Sequence, residues 1–369
     1  MELLRKSSLC WLVRLVLLSA VFLLLPAMAQ EPPKDLRDWQ LICYCSGGDP
    51  DEIVRKDNNG QILFAARHGT TRERLKSDGI AFTESQIELL KDWRLLAEQG
   101  DQLKTRMPIV GPEEMIQLRA LLHVQAVELG RSLQPDFKAF VAAVNERGYA
   151  DNSYSIAFSY LLDGMVWDEF DQRHLLPSME TTAEKPFWAG ALWAIYPHRN
   201  APGTNAKSHG GWSLSVMWTQ SVQPLLTPLN SSSLVYPLLD DLETRGRASD
   251  LATRNQLVAL GILTADGKAA VPIIHEVSSD PIYAESLAIS HKAGDGMLRA
   301  MQSPAIGALT GSDDSGVALV IAYHEFMWEL LAYLEQTSTV SPPAILSAGT
   351  RADPRQVHDL VFIVVPQPK

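Results

Sequence analysis

At 369 residues, 46% of them hydrophobic and 20% charged, the chain holds enough apolar material for a large core, which excludes a disordered or fibrous protein. Its formal net charge of −11 repels nucleic acid and anionic lipid on average, so attachment to either would need a local basic patch. Three cysteines exclude a fold held by a disulfide framework.

The first segment reads as an export signal. Arg5 and Lys6 precede the apolar run CWLVRLVLLSAVFLLLP, and Ala27-Met28-Ala29 stands before Gln30. A charged start, an apolar stretch and small residues at the cleavage positions predict a removed signal peptide over 1–29. The mature protein is then secreted or periplasmic, with no permanent membrane span. Cys43 and Cys45, one residue apart, read as two small packed side chains rather than as a pair.

Two stretches share one plan. Thr83 and Gln86 form a T-x-x-Q capping box, and Thr253 with Gln256 offers the same signal. Each is followed by a helix, a Gly-containing turn, and a run ending in Pro and branched residues: KTRMPIV in 104–110 and KAAVPII in 268–274. Downstream, 154–170 and 316–334 are apolar helices carrying Trp167 and Trp328, each interrupted by acids and so neither a membrane span. A strand pair follows in each half: 187–197 with 211–220, and 344–350 with 360–366. Trp212, Leu214, Val216 and Trp218 alternate with polar or smaller residues, the period of a strand with one buried face. The Pro-, Ser- and Leu-rich stretch 224–237 is the natural seam.

These features predict an α+β fold of two similar units, 30–230 and 231–369, related by a pseudo-twofold duplication with the two Trp helices meeting at its axis. The helix-turn-wing plan resembles winged helix-turn-helix proteins, which implies either DNA reading by the second helix or protein docking. In TESQIELLKDW the acids Glu84, Glu88 and Asp92 outnumber Lys91. A groove-reading helix needs Arg or Lys for phosphates and guanine edges, so docking fits better and nucleic acid is not the expected partner.

A second resemblance is local. Arg67-His68-Gly69-x-Thr71, and His209-Gly210-Gly211 downstream, resemble the motifs of the histidine phosphatase superfamily. There His68 would accept the phosphoryl group, Arg67 would clamp its oxygens, and His209 would complete the site. The simpler reading makes Arg67-His68-Gly69 a strand-to-turn junction, with Gly69 permitting the bend. His324-Glu325 begins like a zinc-protease helix, but Trp328 occupies the second ligand position. His324 therefore reads as a core histidine bonded to a neighbouring helix, and no metal or cofactor is expected. Asp314 or Ser315 reads as a helix cap.

The remaining candidate is the polar stretch 198–212, read as a long loop between Trp-rich strands. His198, Arg199, Lys207 and Trp212 are its ligand-binding candidates. The expected function is binding rather than catalysis, toward an envelope protein, a peptide or a small ligand. A phosphoester hydrolase is the first alternative and a DNA-binding regulator the second.

Overall fold

The computed structural model describes residues 31–347 and 353–367; the segment read as a signal peptide lies outside them. From Asp35 onward the chain forms one compact unit, mixed in helix and strand as an α+β fold.

Strand β1 (Gln40–Gly47) is followed by helices α1 (Pro50–Arg55) and α2 (Asn59–Ala65), strand β2 (Thr70–Thr71), and helices α3 (Arg72–Ser77) and α4 (Glu84–Asp92). The Thr83–Gln86 capping box is formed reciprocally, supplying partners for two amides at the start of α4. α4 buries Ile87 and Leu90. Beyond it, β3 (Leu96–Gln99) and β4 (Gln102–Thr105) make an antiparallel wing, and β2 joins to give the order β2-β4-β3. A small apolar cluster that includes Leu63, Leu75, Ile87, Leu90, Leu96 and Leu103 holds these elements together. Residues 62–65, expected as a strand, belong to α2, whose side chains Ile62, Leu63 and Phe64 are all buried. The bend at Gly69 is present, with φ +91.

Strand β5 (Ile109–Val110) leads to α5 (Pro112–Glu146). The next helix, α6, runs through Ser153–Ser155, a π-helical stretch Ile156–Met165 and Val166–Gln172. Strand β6 (Trp188–Ile195) follows. It pairs antiparallel with β1, and β5 pairs parallel with its other edge, giving the order β1-β6-β5.

The second half opens with β7 (Gly203–His209) and β8 (Trp212–Trp218), a tight hairpin. Then come α7 (Ser232–Arg245), α8 (Leu251–Ala259), β9 (Ile273–His275), α9 (Pro281–Ala300), α10 (Pro304–Leu309), α11 (Ser315–Gln336) and β10 (Val361–Val365). The order is β7-β8-β10-β9, with β8 antiparallel and β9 parallel to β10.

Several expectations are corrected. The stretch 198–212 is not one long loop, because Gly203–His209 within it form strand β7. β6 and β8 do not form a hairpin; each lies in a different sheet. Of 344–350, Ala344–Leu346 is a 3₁₀ turn, and 348–350 lie outside the described residues. The second capping box is absent. Asp250 caps α8 instead, accepting the Thr253 amide at 2.7 Å, and the turn beyond α8 closes with the single bridge Leu263–Ala269 rather than a wing.

The two sheets nevertheless share an internal order. In each, one strand (β1, β8) lies antiparallel to a later one (β6, β10), which takes a short parallel strand (β5, β9) on its far edge; β7 adds a fourth strand to the second sheet alone. The Trp-bearing helices meet. The Trp167 and Tyr323 rings stand edge to face at 4.6 Å, and the Tyr323 hydroxyl donates to the Leu162 carbonyl at 2.6 Å. α11 is long and apolar enough to cross a membrane by length and composition, and most of it is buried within the fold.

Candidate functional site

The residues of the phosphatase reading are not brought together. Arg67 donates from Nη1 to the Phe64 carbonyl at 2.7 Å and lies over the Phe64 ring; burial lowers its pKa. His68 ends the short 3₁₀ turn beside it. The Thr71 hydroxyl accepts the Arg74 amide as the cap of α3. His209 lies at the end of β7, stacked on Tyr236 at 4.5 Å and 3.2 Å from an Asp240 carboxylate oxygen, both residues of α7. The first group belongs with the winged segment and the second with the four-stranded sheet.

The ligand-binding candidates divide similarly. The His198 ring nitrogen Nε2 is 2.8 Å from the Asp38 carbonyl. Arg199 donates to Glu325 at 2.8 Å and to Glu329 at 2.7 Å, and Glu325 also accepts from Arg119 at 2.8 Å. His123 completes the group at 2.7 Å from Glu329. Buried Glu325 thus sits between two guanidinium groups, an arrangement that fastens α5 and α11 to the segment after β6. Lys207 and Trp212 lie on the β7–β8 hairpin, apart from this network.

His324 is a core histidine, as its sequence context suggests, but its partner differs from the expectation. Nδ1 pairs with the Val320 carbonyl of its own helix at 2.8 Å. The rings of Trp167, Trp193 and Trp328 lie 5.0, 4.9 and 5.7 Å from the imidazole. Burial lowers its pKa, opposed by the Asp163 carboxylate. Asp163 accepts the Trp167 indole N–H at 3.0 Å, and burial raises its own pKa. No group of three potential metal ligands occurs among the described residues. Cys43 and Cys45 form a disulfide, which corrects their reading as separate apolar side chains.

A concave site lies elsewhere among the described residues. A cavity of about 290 Å³ runs beside the first part of β6, and its lining includes Arg94, Leu95, Arg106 and Met107 from the β3–β4 hairpin and the residues flanking it. Ser312, Asp314 and Val317, at the start of α11, and Lys185 also line it. Its floor is β6 itself, from Trp188 to Leu192. Three cations therefore border one cleft on an acidic protein. Arg94 donates twice to the Glu184 carbonyl. The side chains of Arg106 and Lys185 have no ion pair or hydrogen bond with another described residue. Asp314, the one carboxylate in the lining, is engaged as the cap of α11, where it accepts the Gly316 and Val317 amides. Next to the cleft, Phe187 is 44% exposed and stacks on Trp93 at 5.2 Å.

These residues went unnoticed in the sequence because Arg94, Arg106 and Lys185 are scattered through it and only the fold joins them. One signal was present. Pro108 and Pro112 bracket β5, and proline restricts how far a strand can pair. An eight-residue β6 therefore faces a two-residue partner. No protein-family model, no curated protein and no solved structure matches this chain.

Proposed function

We propose that the protein is a non-catalytic binding protein that takes an acidic partner in the cleft beside β6. The observation that carries this reading is the convergence of Arg94, Arg106 and Lys185 on one concave surface, whose lining holds one carboxylate, Asp314, already engaged as a helix cap. Cations gathered on an acidic protein select anionic ligands and steer them toward the site. The start of the 22-residue helix α11 adds the positive end of its dipole to the lining.

The order α2-β2-α3-α4-β3-β4 supports a winged-helix reading of the first segment, used for docking. Lys91 is tied to Glu88 and Glu98, which leaves α4 no free cation for a phosphate backbone. Binding in the export compartment, with another envelope protein or a peptide as partner, fits the sequence of 1–29. The separation of His68 from His209 gives phosphoester hydrolysis no support.

The test is a fluorescence-anisotropy titration with a fluorescein-labelled hexaglutamate peptide. The native protein binds it, binding weakens with added salt, and the double variant Arg106→Glu/Lys185→Glu loses at least about tenfold in affinity. Equal affinity for native and variant, or no binding by the native protein, contradicts the reading.

A further inference from the structure

We infer that the cleft takes its acidic partner as an extended peptide, added as a strand to the free edge of β6. This inference rests on the reading of the cleft as an anion-binding site and specifies the ligand's form.

The argument begins with hydrogen-bond parity. Along an antiparallel pair, alternate residues direct their N–H and C=O groups toward the partner, and the residues between direct theirs away. Gly48 donates to the Phe187 carbonyl at 2.7 Å, so the odd-numbered residues of β6 face β1. Ala194 donates to the Pro108 carbonyl at 3.0 Å and Tyr196 to Val110 at 3.2 Å, so the even-numbered residues face β5. β5 pairs only with Ala194 and Ile195. The main-chain groups of Trp188, Gly190 and Leu192 point the same way, past the end of β5, into the cleft. A row of directed donors and acceptors with no strand beside it is a template for another strand.

The surroundings are shaped for such an occupant. Before β5 the chain turns to the wing, where the Arg106 amide donates to the Leu95 carbonyl, and Met107 and Pro108 line the cleft. Leu95 and Val317, both lining the cleft, give an added strand apolar contacts. The middle of the edge is Gly190, at φ +104, where an added Cβ would stand 2.1 Å from the Tyr44 carbonyl oxygen. Glycine here serves the pairing with β1, whose Tyr44 backbone a side chain would strike, and so keeps β6 in register through the middle of the cleft. Five residues from Trp188 to Leu192 span roughly 16 Å at a strand's rise, the length of a peptide of about five residues. Arg106 and Lys185 stand where acidic side chains of the occupant would emerge, and the exposed Phe187 beside Trp93 offers an apolar contact at one end.

The experiment uses a labelled hexapeptide of alternating Val and Glu, together with two analogues. In one analogue the first, third and fifth amides are N-methylated; in the other, the second, fourth and sixth. A strand on an edge spends only one set of its amides on the neighbour, so one analogue loses at least about tenfold in affinity and the other binds within about twofold of the parent. Equal binding by both analogues, or equal loss in both, overturns strand addition. Hexaglutamate binding that remains sensitive to Arg106→Glu/Lys185→Glu, alongside either of those results, keeps the acidic cleft and removes only the strand. Loss of that charge sensitivity removes the underlying reading.

Discussion

Burial pulls the His324 imidazole toward its neutral form, because Trp167, Trp193 and Trp328 surround the ring and replace its water. Its folded pKa lies below the ordinary value of 6.5, so the unfolded chain binds the proton more readily. The corresponding stability is fully present above 6.5 and is lost as pH falls through the folded value. Asp163 works in the opposite sense. Its pKa is raised above 3.8, so its contribution is present at low pH and lost as pH rises through its folded value. The urea midpoint of the native protein, taken relative to that of His324→Gln, falls between pH 7 and pH 5. An unchanged pH slope in the variant assigns the effect elsewhere. At this scale the sequence was legible in part. His324 read as a core residue because its helix is apolar almost all round, but which carbonyl it meets depends on the turn of the ring. The pairing of Cys43 with Cys45 was missed, although residues two apart in a strand share a face.

Among the elements, α5 shows how one missing side chain sets a helix crossing. At Gly130 an added Cβ would stand 2.4 Å from Tyr333 Cδ1 and 3.0 Å from Leu330 Cδ1, both on α11. The helices approach closely there because neither Cβ nor a longer side chain separates them. Gly130→Val would force them apart and lower stability by about 2 kcal/mol, the usual scale of overpacking. Chemical denaturation measures this, and an unchanged midpoint contradicts the account of the crossing. Helix α4 and its capping box were legible, because the signal is local and nothing overrides it. The start of α8 was not, because Asp250 three residues earlier competes for the Thr253 amide and wins. β7 was illegible for a different reason. Gly203-Thr204-Asn205-Ala206-Lys207-Ser208 carries no apolar alternation, and the strand exists because β8 supplies its ladder along one edge.

Across the whole molecule, the two larger sheets share one local pattern, an antiparallel pair with a short parallel strand beyond it, while the sheets differ in strand number. Partner choice was the part that composition could not convey. β6 pairs with β1, which lies on the far side of the winged segment and two helices, while β8 pairs with β10 near the chain's end. Register over such separations is decided by the packed fold rather than by neighbouring residues. The larger apolar cluster runs from Val110 to Ile363, so the elements around both sheets share one core. The cleft is a product of this assembly. Its walls come from the wing, from the approach to β5 and from the start of α11, and its floor is the edge of β6. Amide hydrogen exchange across the whole chain, with and without the alternating Val/Glu hexapeptide, therefore tests the central claim most directly. The account predicts slowed exchange at Trp188, Gly190 and Leu192, with Ala189 and Ala191 changed little because their amides already face β1. Protection confined to the β7–β8 hairpin around Lys207 and Trp212, with the β6 edge unchanged, would contradict it.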